Sequence, residues 1–470
     1  MEIYNTLTRK KGAFEPRKDL PTGQAGKKIN MFVCGPTVYD YIHIGNARTF
    51  VVFDVVAKYL RYRGYDVNYI QNITDIDNKI IERAQKEGVD SLEYAKKYSD
   101  IFKEDMQALG VTSPEYKNAT DHIPEVIKQV QTLLDKGNAY IIENDGIYFD
   151  LSTFPDYGKL SGRTASMADD AVSRIDDSAK KRNRGDFALW KFSQEGDPSW
   201  PAPFGDGRPG WHIEDTAITE KYFGPQYDIH GGGQDLIFPH HEAEIAQQES
   251  ASGLKPFVRY WMHAGFLVNK SEKMSKSTGN FQTARELLKK YSKEVLRFYL
   301  LSNHYHSPLD YSETTMGQFQ AAVQRIIEFM EKLLLISGED GPGVEGGVDS
   351  FLNGPKGQRE LFIEAMDDDF NTPRALAEIF GFMRAINSLH GLGKNSANKI
   401  VALLKEFDSI LGIIPPKQEK IPAEIRGLAE KREKLRKEEK WEEADKIRAQ
   451  IEDRGYQVED TVYGPFITKK

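Results

Sequence analysis

Among its 470 residues the chain has one cysteine, Cys34. No internal disulfide can form, and a reducing compartment, the cytoplasm, is the expected setting. Long apolar runs are missing as well: none could cross a bilayer, and the start, MEIYNTLTRKKGAFEP, lacks the apolar core of a signal peptide. A membrane partner is therefore not expected. Basic excess is absent too, since 63 Lys and Arg against 71 Asp and Glu give a formal charge of −8. That argues against wholesale coating of nucleic acid and leaves room for local basic patches. There is no internal repeat. What is present, 39% hydrophobic and 29% charged residues, is the composition of a globular protein too long for one core, so roughly three domains are expected.

Residues 30–34 (NMFVC) and 67–73 (VNYIQNI) read as buried strands, with TFVVFDVVAKYLRYRGY between them as a helix ending at Gly64. Strand, helix, strand is the repeat of a doubly wound parallel sheet, in which ligands gather beyond the carboxyl ends of the strands. Residues 115–205 read as an insertion containing a polar, loop-like segment, SMADDAVSRIDDSAKKRNRGD. From 312 to 412 apolar residues recur at helical spacing, interrupted by SGEDGPGVEGGVDSFLNGPKG, which is expected to be flexible. After the linker PPKQEKIP, Trp441, Ala444, Ile447 and Ile451 predict an amphipathic helix, and YQVEDTVYGPFI predicts a hairpin. LPTGQAGK near the start is a loop with no functional signal.

Three stretches carry chemistry. In FPHHEAEIAQ (238–247), Pro239 suits the first turn of a helix, on which His240 and Glu244 would share a face. A metal pair, an acid–base pair and a solvated helix face are all compatible with that spacing. In IHIGNA, Gly45 follows a strand and opens a helix, where backbone N–H groups can approach a phosphate. His43 and Asn46 could aim donors at the same anion, or merely cap the helix. In NKSEKMSKSTGN, Lys273 and Lys276 stand in a polar loop suited to closing over phosphate, or to lying in solvent.

HIGN before the insertion and KMSKS after it resemble the two signatures of class I aminoacyl-tRNA synthetases, the first differing from HIGH only at Asn46. HGGGQD resembles the Gly-x-Asp element of that class. Within it, MFVCGPTVYDYIHIGNAR, NITDIDNKI, GRPGWHIED, HGGGQDLIFPHHEAEIAQ and WEEADKIRAQIEDRGYQVEDT resemble cysteinyl-tRNA synthetases, over nearly the whole chain.

The resemblance implies an α/β fold. A doubly wound, Rossmann-like parallel-sheet catalytic domain would carry an insertion and precede an all-helical bundle and a small C-terminal α+β domain. The implied segments are 1–114 and 206–255 for the two catalytic halves, 115–205 for the insertion, 256–311 for the KMSKS loop and stem-contact region, 312–412 for the bundle and 420–470 for the anticodon-binding domain. The implied reaction joins L-cysteine to tRNA(Cys) through a cysteinyl-adenylate at the expense of ATP and Mg²⁺, in a monomer. His43, Asn46, Lys273 and Lys276 would act on the phosphates, and Gly45, His230, Gly233, Asp235 and Lys276 would bind ATP. Cys34, Thr74 and Trp211 would bind the amino acid. Trp441, Tyr456, Tyr463 and Phe466 are aromatic candidates for stacking anticodon bases.

A zinc ion would be held by Cys34, Asp215, His240 and Glu244, with Asp215 standing where the family usually has cysteine. Zinc accepts carboxylate oxygen at about 2.0–2.2 Å, so the exchange keeps three anionic ligands but softens discrimination against harder ions. The opposite expectation is an empty site in which Asp215 bonds His212 or water. Other readings of the same motifs are a ligase joining cysteine to a small amine, a catalytically inactive RNA-binding relative, and an enzyme whose Asp215 has changed the amino acid accepted.

Overall fold

The apolar runs KINMFV and DVNYIQNI become β1 (Lys28–Val33) and β2 (Asp66–Ile73), buried along most of their length. In the computed structural model, residues 1–17, 27–163, 178–269, 272–273, 281–338, 348–389, 392–415, 421–461 and 464–469 are described. Three further strands, β3 (Glu115–Asn118), β4 (Tyr227–Gly233) and β5 (Val258–Ala264), complete a sheet of order β3-β2-β1-β4-β5 in which every neighbour is parallel. The winding reverses between β1 and β4, and the crevice at their carboxyl ends is where such a sheet receives ligands. The Rossmann-like arrangement is thus the observed one.

Helix α1 (Ile44–Tyr62) crosses from β1 to β2 and begins five residues ahead of the expected TFVVF, because the His43 side chain accepts from Asn46 N–H and caps it. Four valines give it poor intrinsic helicity, but fourteen of its nineteen residues are buried, so packing sustains it. Gly64, at φ +86°, ends it. Helix α2 (Ile213–Phe223) precedes β4, and α3 (Glu242–Ser252) joins β4 to β5.

The insertion is placed differently from its expected bounds. Glu115–Asn118 is the edge of the parallel sheet, and the insertion's antiparallel sheet runs from Ala139 to Pro209. EYKN escapes detection because an edge strand with no fully buried residue carries no apolar signature. The polar segment 166–186 and LPTGQAGK fall partly or largely outside the described residues.

The chain divides into two compact units. One comprises Met1–Leu296, Leu300–Ser312 and Met366–Thr372, and the other Arg297–Tyr299, Glu313–Ala365 and Pro373–Lys470. In the second, the expected helices form, and Val348–Asn353 adds a short one inside the Gly-rich stretch. Helix Trp441–Asp453 buries Ala444, Ile447 and Ile451 while Trp441 stays exposed, and Tyr456–Thr461 pairs with Gly464–Lys469 as the predicted hairpin. Phe466 is buried, and Tyr463 lies outside the described residues.

Why β4 ends in three glycines is clear at Gly231, where a Cβ would overlap the Phe53 ring of α1. Gly231→Ala should therefore destabilise the protein by about 1–3 kcal/mol, seen as an earlier midpoint in denaturant unfolding. An unchanged midpoint would show that the ring can yield.

Candidate active site

Cys34 follows β1 directly and is tied to β4 by a 3.0 Å hydrogen bond from its N–H to Gly231 carbonyl. Asp215 comes from the first turn of α2 and Glu244 from that of α3. Pro239 does not open a helix as expected. Phe238 is extended, residues Ile237–His241 form a wide π-type turn, and the α-helix begins at Glu242. His240 and Glu244 meet nonetheless, Nε2 to Oε1 at 3.0 Å.

Around Cys34 Sγ, Asp215 Oδ2 stands at 3.3 Å and Glu244 Oε1 at 3.6 Å, while His240 Nε2 lies 3.0 Å from Asp215 Oδ2. Ligand atoms of Cys34, Asp215, His240 and Glu244 all fall within 4.8 Å of one another. All four residues are buried, and Asp215 Oδ1 and Glu244 Oε2 accept no hydrogen bond. Buried carboxylate oxygens without donors, beside a thiol and an imidazole, fit a divalent cation. The alternative, with Asp215 bonded to His212, is not what forms: His212 Nδ1 faces His240 Nδ1 at 2.7 Å.

A second set, Cys34, His230, His241 and Glu244, shares two members with the first. His230 Nε2 and His241 Nε2 each lie 3.2 Å from Cys34 Sγ. Tyr227 Oη fixes His230 Nδ1 at 2.6 Å, and His263 Nε2 fixes His241 Nδ1 at 2.8 Å. Both rings are fully buried, whereas Cys34, Asp215 and His240 line an open cleft. The first set is the one a molecule in that cleft can reach.

Without a cation this floor holds protons. Burial, with the Glu244 and Asp215 carboxylates beside it, pushes the Cys34 thiol well up. Burial alone would lower His240, but the same two carboxylates overcome it and hold its imidazole at about 9. Burial raises Glu244 in spite of His240.

The cleft, about 450 Å³, runs from this cluster to the start of α1. His43, Gly45, Asn46, Gly233 and Asp235 line its other end, and Trp211 and Thr74 its flank. His43 Nδ1 accepts from Asn46 N–H at 3.3 Å, so the neutral ring carries its proton on Nε2. Trp211 stacks on His240 with ring centroids 4.5 Å apart, and Thr74 donates to Glu214. Of the residues expected to bind ATP, Gly45, Gly233 and Asp235 line the cleft and His230 does not. It is wholly buried beneath Cys34 and stacked on Trp261, because β4 pairs with β1 at this point and turns the side chain into the core.

Lys273 ends a short strand paired with Leu267–Asn269, and Lys276 lies outside the described residues. On the far side of that segment, Ile44 N–H donates to Gln282 carbonyl and Ala284 N–H to Ile42 carbonyl. Both described ends of the KMSKS segment are therefore anchored beside the cleft. Sequence reading missed the supporting layer of Tyr227, His241 and His263, and the cleft residues Tyr39 and Lys79. The only hint was the doubled histidine of FPHH.

Residues 22–321 match the family described as tRNA synthetases class I (C) catalytic domain, and residues 361–415 match the DALR domain. A "Cysteine--tRNA ligase" of Carboxydothermus hydrogenoformans is 44% identical over 99% of both chains. That of Symbiobacterium thermophilum is 45% identical over 99% of this chain and 98% of its own. The chain belongs to the cysteine–tRNA ligase family. Members of the family are aminoacyl-tRNA synthetases, and the fold agrees. A Mycobacterium tuberculosis methionyl-tRNA synthetase solved with methionyl-adenylate superposes with TM-score 0.64 at 16% identity, over 82% of this chain and 91% of that one.

For a cysteine–tRNA ligase with this floor, binding of a divalent ion must expel the protons that Cys34 and His240 hold at neutral pH. Affinity for Zn²⁺ or Co²⁺ should rise with pH from 6.5 to 8.5, with more than one proton released per ion, measured by calorimetry in buffers of different ionisation enthalpy. Asp215→Ala should weaken binding at least about 100-fold. Affinity independent of pH, or unaltered by the substitution, would contradict the assignment.

Proposed function

We propose that the protein attaches L-cysteine to tRNA(Cys) through a cysteinyl-adenylate, and that it selects the amino acid by its thiol at a zinc ion held by Cys34, Asp215, His240 and Glu244. The observation that carries this reading is the clustering of those four groups, three of which, Cys34, Asp215 and His240, line the cleft that His43, Asn46, Gly233 and Asp235 line at its other end. A bound zinc ion would supply a soft acceptor for the substrate sulfur and lower the pKa of its thiol.

This chain's own residues do the rest. A carboxylate oxygen of cysteine attacks the α-phosphorus of ATP, forming a P–O bond as pyrophosphate leaves. A terminal ribose hydroxyl of the tRNA then takes the acyl group and AMP departs. No side chain need be a nucleophile, so rate comes from positioning and charge stabilisation. His43 donates Nε2–H to the phosphates, the start of α1 adds backbone N–H groups at Gly45, and Asn46 adds its amide. Asp235 accepts from the ribose hydroxyls, Gly233 leaving space beside it. Lys273 and Lys276 bring positive charge to the pyrophosphate, and Mg²⁺ accompanies ATP. Trp211 holds His240 by stacking, and Thr74 lies beside the amino-acid site. One chain contains every group required, so a monomer suffices.

Shape alone separates near-isosteres such as cysteine and serine by only about 10–200-fold, so sulfur preference must come from the metal-binding floor. Lys276→Ala should reduce cysteine-dependent ATP–pyrophosphate exchange by roughly 100-fold or more and leave the dissociation constant for cysteine nearly unchanged. Equal loss of both would remove Lys276 from the role given to it.

A further inference from the structure

Cys34 and Glu244 belong to two overlapping groups of ligands, and the inner group, completed by His230 and His241, has no part in the reaction described above. His230 Nε2 and His241 Nε2 each stand 3.2 Å from Cys34 Sγ, and Glu244 Oε1 stands 3.6 Å from it. A tetrahedral shell with bonds of about 2.0–2.3 Å keeps its ligand atoms about 3.3–3.8 Å apart. The inner atoms are thus already near the spacing of a coordination shell. Glu244 Oε2 is buried, accepts no hydrogen bond and lies 3.5 Å from His230 Nδ1.

Both rings are mounted as metal-bound imidazoles are. His230 Nδ1 meets Tyr227 Oη, and His241 Nδ1 meets His263 Nε2, whose own Nδ1 meets Thr6 Oγ1. With each Nδ1–H given to its outer partner, both Nε2 lone pairs turn toward Cys34. The strand β4 leaves room for the second ring: a Cβ on Gly232 would stand 2.8 Å from His241 Cε1 and 3.1 Å from its Nε2.

Donor chemistry separates the two groups. The outer one offers a sulfur, one imidazole and two carboxylates; the inner one replaces Asp215 and His240 by two imidazoles. Nitrogen donors suit Ni²⁺ and Cu²⁺, whereas carboxylates suit harder ions. A thiolate and one carboxylate also neutralise a buried divalent ion, while the outer group's three anions leave one negative charge in excess. His230, His241 and Glu244 do not line the cleft.

We propose that Cys34, His230, His241 and Glu244 form a second cation site, which takes nitrogen-favouring divalent ions such as Ni²⁺ and, by engaging Cys34 and Glu244, keeps zinc from the outer group. An ion held there is beyond the reach of a molecule in the cleft, so its capture is inhibitory. The inference rests on the outer group's being the zinc site that faces the substrate, as proposed above.

Full-length, metal-free protein is titrated with Ni²⁺ and with Zn²⁺ against a chromophoric chelator, as wild type, Asp215→Ala and His241→Gln. The thiolate-to-nickel charge-transfer band reports contact with Cys34. One ion of either kind should bind per chain, and Ni²⁺ should compete with Zn²⁺. Asp215→Ala should weaken Zn²⁺ at least about 100-fold and Ni²⁺ far less, whereas His241→Gln should weaken Ni²⁺ about 10–100-fold and Zn²⁺ less. Lost folding would weaken both ions together and cannot produce this crossed pattern. In the wild type, L-cysteine at limiting concentration should leave the nickel band unaltered. Ni²⁺ and Zn²⁺ bound at once, a nickel band that gains a second thiolate with L-cysteine, or Ni²⁺ weakened by Asp215→Ala as much as Zn²⁺ would overturn the inner site and leave the ligase reading standing. Zn²⁺ affinity untouched by Asp215→Ala would instead overturn the outer group as the zinc site, and with it the competition proposed here.

Discussion

Three groups able to carry negative charge, Cys34 Sγ and the carboxylates of Asp215 and Glu244, are crowded together in the interior with the imidazole of His240 among them and those of His230 and His241 against the sulfur. Burying even one unpaired ion costs several kcal/mol. The floor must therefore hold protons or a cation, and the rest of the catalytic unit is arranged around that necessity. β1 brings the sulfur, α2 and α3 bring the carboxylates from their first turns, and β4 stands between. Asp215 fits this requirement as a cysteine would, since either supplies one negative charge; it differs in hardness.

Orientation of the ligands is set from behind. His230 leans on Tyr227, His241 on His263, and His263 in turn on Thr6 through a 2.8 Å contact. His240 is clamped between Trp211 and His212. Such outer contacts fix ring orientation and tautomer in and around the cluster. The other end of the cleft works by a different principle, the partial positive charge at the start of α1. The Cys34 cluster stands at one end and the start of α1 at the other, and the switch point of the sheet places the two within a single cleft.

Much of this was legible in the residues. β1 and β2 announce themselves as short stretches rich in apolar residues, the final helix by Ala444, Ile447 and Ile451, and the hairpin by its alternation. The spacing of His240 and Glu244 brings them together even though the turn before them is not the helix expected, because both reach the same point from either side of the helix start. The rest depends on chain-distant neighbours. β3 is an edge strand without an apolar signal, and the burial of His230 follows from the pairing of β4 with β1, some two hundred residues away. Gly231 advertises close approach, but the approaching group is Phe53 and not a nucleotide.

The central claim is that these four groups share one ion and that the ion meets the substrate's sulfur. X-ray absorption at the zinc edge counts sulfur neighbours directly. The zinc-loaded protein should show one sulfur at about 2.3 Å, two when L-cysteine is added, and still one with L-serine. A sulfur count that does not change with cysteine, or the absence of any sulfur neighbour, would contradict it.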